Sequence, residues 1–218
     1  MTPHFKHIDL KYWPRTPYYK HYFEKVRCTY SVTSNIDITV LLQHIKKKKI
    51  KLYPVLIYAL TKIVNRHEEF RTTLDSNNNL GVWDFLNPCY TVFHEEDETF
   101  SNIWTEWNSD FEVFIANYMK DIQEYGKILS MEAKPDTPPN IFTVSSLPWT
   151  TFTGFNLNVF TDGSYLLPIF TWGKYYSENG KVLIPLSVQA HHAVCDGFHV
   201  SRFINELQAE LRIDPYFD

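Results

Sequence analysis

Within seven residues, His191-His192-Ala193-Val194-Cys195-Asp196-Gly197, the chain gathers two imidazoles, a thiol and a carboxylate. Three chemistries could come from such a cluster. His192 as a general base is the first, because an imidazole with a pKa of about 6.5 suits removal of a hydroxyl proton at neutral pH. A core histidine satisfied by backbone bonds is the plain alternative, and spacing alone leaves both open. The second is a zinc site from His191, His192, Cys195, Asp196 and His199. Adjacent strand residues point to opposite faces, which argues against His191 and His192 binding one ion. The third is Cys195 as a nucleophile, but its apolar setting favours inert packing.

Other residues carry weaker signals. Ser145 and Ser146 end a hydrophobic stretch just before Leu147-Pro148-Trp149. A hydroxyl there could stabilise a developing oxyanion if the fold placed it opposite an imidazole; most such serines only bond the local backbone. Arg15 sits in the aromatic run Tyr12-Trp13-Pro14 and would need a carboxylate if buried, with Asp196 a candidate. Lys46 to Lys49, the one basic run, reads as a solvated helix end.

Positioning this chemistry needs a rigid frame. Val182 to Ala190 predicts a strand that ends at the histidines, and Asp196-Gly197 a turn into a helix with Phe198, Phe203, Leu207 and Leu211 on its apolar stripe. Further strands are predicted at Tyr30–Asp37, Tyr90–His94, Ile141–Ser145, Gly154–Phe160 and Leu166–Tyr175, with turns at Asp162-Gly163 and Asn179-Gly180. Arg71–Leu74 and Leu80–Asp84 read as a hairpin through Asn77-Asn78-Asn79. Helices are expected after Asp37 (Val40 to Ile45), from Pro54 to about Asn65, and after Asp110 (Phe111, Ile115, Tyr118, Ile122), the last stopped by Gly126. The proline-bearing stretch to Asn140 is the longest expected loop.

Composition limits the function classes. The 218 residues, 44% hydrophobic and 17% aromatic, suffice for one domain over 1–218 with a large core. Such aromatic content suits a large apolar ligand or subunit contacts. A net charge of -4 with dispersed basic residues gives no nucleic-acid footprint. The first residues lack an apolar signal core, and Leu52–Leu60 is too short to span a bilayer, so a soluble cytoplasmic protein is expected. Cys28, Cys89 and Cys195 form no framework spacing, which argues against structural disulfides. The expected fold class is α/β, a two-layer sandwich with a large mixed β-sheet and packed helices.

Taken together, Trp13-Pro14-Arg15, Cys28–Thr39, Leu52-Tyr53-Pro54, Thr91–His94, Glu98–Ser101, Ser145–Trp149, Phe155–Asn158, Gly173–Tyr175, Leu186–Gln189, His191–Gly197 and Phe203–Gln208 resemble the chloramphenicol acetyltransferases. The His-x-x-x-Asp-Gly element alone also occurs in dihydrolipoyl acyltransferases; the longer string through His199 is far more specific. The resemblance implies a CoA-dependent acyltransferase-like fold and a homotrimer with active sites between subunits. It implies acetyl-CoA as cosubstrate, no metal, and transfer of the acetyl group to the primary 3-hydroxyl of chloramphenicol. It implies His192 as general base, Ser145 as oxyanion donor, Thr171 assisting through a water, and Asp196 paired with Arg15 as a brace. Tyr22, Cys28, Phe100 and Leu157 match drug-pocket positions, and Tyr53, Lys174 and Tyr175 match the coenzyme A channel.

Three positions depart from the family pattern. The 126–140 loop offers Ile128, Leu129 and Met131 instead of an aromatic drug contact. Arg27 stands where proline is usual, and Trp172 where a slimmer residue is expected, so that it could narrow a passage. A non-catalytic oligomeric binding protein of the same fold and a zinc hydrolase are the readings from other classes.

Overall fold

The chain begins with a short strand, β1 (Phe5–His7), and a helical turn, α1 (Thr16–Tyr19), that runs into a π-helical stretch over Lys20–Lys25. The computed structural model describes residues 2–159 and 161–212. Strand β2 (Thr29–Asp37) leads into α2 (Thr39–Lys48). Asp37 accepts hydrogen bonds from the Thr39 amide at 3.1 Å and its hydroxyl at 2.6 Å, one residue ahead of the cap position at Ile38. Helix α3 (Leu52–Arg66) carries Pro54 in its first turn, where a missing amide hydrogen costs nothing. Leu56, Leu60 and Ile63 are buried on it, each contributing about 2 kcal/mol of apolar burial.

The expected hairpin forms from β3 (Thr72–Leu74) and β4 (Leu80–Trp83), and β4 also pairs with β1 in a small antiparallel sheet. Strand β5 (Asn87–His94) is followed by β6 (Thr99–Trp104) and by α4 (Phe111–Tyr125). The Asp110 carboxylate caps α4 by accepting from the amides of Glu112 and Val113. Gly126 ends the helix with an ordinary helical φ of -67°, so its freedom is not used there. Then come β7 (Ile141–Leu147), β8 (Ile169–Gly173), β9 (Tyr176–Glu178), β10 (Lys181–His191) and α5 (Gly197–Glu210). Asn179 and Gly180, both at positive φ, turn β9 into β10.

The large sheet has the order β2-β10-β8-β7-β5-β6, with β9 added on β10. It is mixed: β5–β7 and β7–β8 run parallel and the other pairs antiparallel. Period-two alternation sends Phe142, Val144, Phe170, Trp172, Leu186 and Val188 into the core. Helices cover that face: Phe170 stacks on Phe203 of α5 at 5.0 Å, and Tyr90 packs on Tyr118 of α4 at the same distance. The opposite face carries a row of small hydroxyls, Ser145, Thr171, Ser187 and Thr33, in register across β7, β8, β10 and β2.

Four expectations need correction. No strand forms over 154–159, and Phe160 lies outside the described residues. Side chains of β10 satisfy that backbone instead: the Ser187 hydroxyl donates to the Phe155 carbonyl at 2.8 Å, and the Leu157 amide donates to Gln189 Oε1 at 2.9 Å. Strand β8 is shorter than Leu166–Tyr175, since Pro168 has no amide hydrogen for a ladder. The connection between β7 and β8 therefore exceeds the 126–140 loop in length. Phe198, at 69% exposed, is not on the buried stripe of α5, which runs through Val200, Phe203 and Leu207.

Candidate active site

Strand β10 delivers His192 just beyond its last paired residue, because His191 is still in register with Thr29 of β2. The His192 amide donates to the Cys28 carbonyl at 2.9 Å, which extends the strand pairing by one bond. The imidazole then lies flat on the Tyr22 ring, with centroids 3.9 Å apart and planes within 3°. Tyr30 closes a second side at 5.3 Å and fixes the following turn by donating its hydroxyl to the Cys195 carbonyl at 3.1 Å. Sequence reading passed over Tyr30, because its place opposite Ala190 comes from strand register, which spacing in the chain does not carry.

Asp196 meets three neighbours. Its two oxygens accept from the Arg15 guanidinium at 2.6 and 2.9 Å, and Oδ1 lies 3.2 Å from His192 Nδ1. That last contact lacks hydrogen-bond alignment, and Nδ1 has no hydrogen-bond partner among the described residues. The Arg15 hydrogen bond and charge hold the Asp196 carboxyl below the usual carboxylate range. Burial pulls the Arg15 pKa down, but the hydrogen bond and charge of Asp196 outweigh it and leave the guanidinium raised. With its side chain 30% exposed, His192 keeps Nε2 free of partners among the described residues.

The other members of the motif are occupied elsewhere. His191 is buried, its Nδ1 accepts the Ala193 amide at 3.1 Å, and burial lowers its pKa to about 4. His199 Nδ1 accepts the Asp196 amide at 2.9 Å in a capping arrangement that starts α5. Burial pushes the Cys195 thiol up to about 12, which keeps it protonated at neutral pH. No three His, Cys, Asp or Glu side chains among the described residues gather as metal ligands.

A second set of residues forms a separate cavity of about 810 Å³. It lies where α3 (Leu52, Tyr53, Leu56) and α4 (Tyr118, Ile122) meet the ends of β5, β7 and β8. Ser145, Tyr53, Phe100, Lys174 and Tyr175 line it together. So do Lys51, Phe93 and Trp149, which sequence reading did not single out; Phe93 meets Trp149 edge-on at 4.6 Å. Gly173 forms part of the wall because Phe152 and Pro185 leave no space for a side chain there.

The two sets do not meet within one chain. Ser145 is in register with Thr171, and Thr171 with Ser187. His192 stands five residues beyond Ser187, a separation of roughly 16 Å along β10 at about 3.3 Å per residue. Tyr22, Cys28, Arg15 and Asp196 thus accompany His192, whereas Phe100, Tyr53, Lys174 and Tyr175 accompany Ser145. Leu157 lies on the segment bonded to Gln189, and Thr171 is buried in register with Ser145. Arg27 takes φ +52°, which the ring of a proline forbids, so the chain enters Cys28 by a path of its own.

Known proteins bear on this arrangement. The family Chloramphenicol acetyltransferase matches residues 3–208. The chain is 55% identical over 204 residues to a chloramphenicol acetyltransferase of Clostridium butyricum, covering 94% of this chain and 93% of that one. A solved chloramphenicol acetyltransferase superposes with a TM-score of 0.85 at 19% identity, covering 95% of this chain and all of that one. A dihydrolipoamide acetyltransferase of Azotobacter vinelandii shares the fold with a TM-score of 0.63 at 18% identity, over 84% of this chain and 81% of its own.

Proposed function

The chain belongs to the chloramphenicol acetyltransferase family and is an acyltransferase acting on chloramphenicol; we propose that His192 of one copy and Ser145 of a neighbouring copy together carry out the transfer from acetyl-CoA. His192 Nε2 takes the proton of the drug's primary 3-hydroxyl as that oxygen attacks the thioester carbonyl carbon. Ser145 donates its hydroxyl hydrogen to the oxyanion, with Thr171 beside it in register. When the intermediate collapses, the carbon–sulfur bond breaks, and His192 returns the proton to the leaving thiolate, which departs as the thiol and leaves the imidazole neutral again. The products are the acetyl ester and free coenzyme A. No acyl-enzyme and no metal enter this route.

The observation that carries the proposal is the separation of a held imidazole from the serine-lined cavity within one chain. A base on one side of a subunit boundary and an oxyanion donor on the other would be united by a closed ring of copies, and a homotrimer is our reading. Tyr22 and Cys28 then supply one wall of the drug site, and Phe100 and Leu157 the facing wall. Tyr53, Lys174 and Tyr175 line the acyl-donor channel. Each copy is read as one domain. A cytoplasmic location goes with an intracellular acyl donor and with three free thiols. Among the described residues no helix is long and apolar enough to cross a membrane.

The test is thiol release from acetyl-CoA in the presence of chloramphenicol. Drug-dependent release that His192→Ala abolishes supports the proposal. Release at background level with the unaltered protein would overturn it.

A further inference from the structure

Lys46 to Lys49 form the one basic run of the chain, and no step of the transfer uses it. The run makes up the end of α2 and its cap: Leu41 and Ile45 are buried on that helix, whereas all of these lysines are exposed. None of them pairs with a carboxylate among the described residues. Sequence neighbours cannot supply one either, since no Asp or Glu occurs between Asp37 and Glu68. A cation in the last turn complements the helix dipole, but Lys49 lies past that turn. It takes the left-handed cap position, at φ +57°, where glycine is cheaper. The backbone alone closes this turn, with the Ile50 amide donating to the Ile45 carbonyl at 3.0 Å, so the lysine side chains are left to the solvent.

The run stands beside one opening of the cavity that holds Ser145. Lys51, Lys174 and Tyr175 line that cavity and are exposed, which marks the opening. Lys49 is two residues from Lys51, so their Cα atoms are at most about 7.6 Å apart. Lys46 lies about 4.5 Å further along α2, at about 1.5 Å per residue. The unpaired cations therefore stand within about 12 Å of the opening. The screening length is about 8 Å at physiological ionic strength and about 30 Å at about 0.01 M, so in dilute salt their fields add over the opening. The chain as a whole carries -4 and repels a polyanion; a local excess of cations reverses that at one opening.

We propose that Lys46–Lys49 form a landing surface outside the cavity for the phosphates of the acyl donor, drawing acetyl-CoA to the opening at Lys51 and Lys174. The phosphates of acetyl-CoA sit at the end remote from its thioester, so with the thioester at Ser145 they lie toward this opening. The surface acts on encounter rather than on the chemical step, and it favours donors that carry phosphates. This rests on reading the cavity as the acyl-donor channel.

The experiment makes Lys46→Gln, Lys47→Gln, Lys48→Gln and Lys49→Gln together and follows the association of acetyl-CoA by stopped-flow tryptophan fluorescence. Alongside, kcat and kcat/KM are measured with chloramphenicol for acetyl-CoA and for S-acetyl-N-acetylcysteamine, a neutral donor without phosphates. At an ionic strength of about 0.01 M the variant should associate with acetyl-CoA about tenfold more slowly than the unaltered protein, with kcat nearly unchanged. At about 0.5 M the gap should close to within about twofold. The neutral donor should react equally with both proteins, and the matching set of Lys→Arg replacements, which keeps the charge, should keep the rate. An unchanged association rate in dilute salt, a loss that salt does not narrow, an equal loss on the neutral donor or a slow arginine set overturns the proposal. Lys47→Gln with Lys48→Gln serves the same comparison should the full set not fold. Failure of the unaltered protein to turn over acetyl-CoA would instead overturn the acyltransferase reading, so the two failures are distinguishable.

Discussion

Arg15 grips both carboxylate oxygens of Asp196, at 2.6 and 2.9 Å, across 181 positions of sequence. The same guanidinium lies 3.4 Å from the His192 carbonyl, so one side chain ties the N-terminal segment to both ends of the histidine turn. Since Arg15 occupies both oxygens, the Asp196 carboxylate acts on His192 mainly by holding the turn.

Asp196→Asn is expected to lower stability by about 1–2 kcal/mol, less than for a fully buried pair because both partners keep some solvent contact. Activity should fall through a displaced imidazole. The Asp196 pKa is lower folded than unfolded, so its stabilising contribution is full above the unfolded value of about 3.9 and is lost as pH falls through the folded one. Melting curves from pH 2 to 7 read this: the variant should show a shallower loss at the acid end. A parent-like melting profile together with an unmoved His192 would refute the bracing role.

His192→Ala should lower kcat by about 10²- to 10⁴-fold while drug binding changes little, because the base acts in the transition state. Thiol release and calorimetric titration with chloramphenicol check the two halves. A kcat near that of the parent removes His192 from the mechanism.

Ser145→Ala should lower kcat by about 10²-fold or more without weakening binding of the acyl donor. Mixed with His192→Ala by unfolding and refolding the two inactive variants together, it should restore activity. If each site takes its histidine from one copy and its serine from the next, random assembly leaves about a quarter of the sites intact. Failure of co-refolded mixtures to exceed either variant alone would mean that the two residues do not act across a boundary.

His191→Asn keeps an acceptor for the Ala193 amide but removes the titrating ring. The folded pKa is about 4 because of burial, below the unfolded value of about 6.5. The stability this neutral ring allows is therefore full above about pH 6.5 and declines as pH falls toward 4, by up to about 3 kcal/mol. Denaturant unfolding between pH 4 and 7 should show a flatter slope in the variant. Equal slopes would mean that His191 does not titrate in that window.

Much of this is legible in the sequence alone. The hydrophobic run Val182–Ala190 and the Asp196-Gly197 turn located His192 at a strand end, and Asp37 and Asp110 marked helix starts, Asp37 from one residue ahead of the cap position. These are local signals, carried by neighbours in sequence. Strand β6 was missed because Glu95-Glu96-Asp97-Glu98 before it reads as solvated loop, whereas pairing with β5 decides its state. The supposed strand at 154–160 failed for the converse reason. Its alternation is real, but among the described residues the side chains of Ser187 and Gln189 take its backbone groups.

The sequence by itself determined the kinds of chemistry available: an imidazole on a rigid strand end, an arginine among aromatics that needs a carboxylate if buried, and hydroxyls at the end of another strand. Residue type sets which proton can move, and period sets which face a side chain takes. Tertiary structure alone decided which of these groups meet. It joined Arg15 to Asp196 and laid Tyr22 on His192. It also set Ser145 in a different cavity with Tyr53, because the register of β7, β8 and β10 fixes distances that no spacing in the chain encodes.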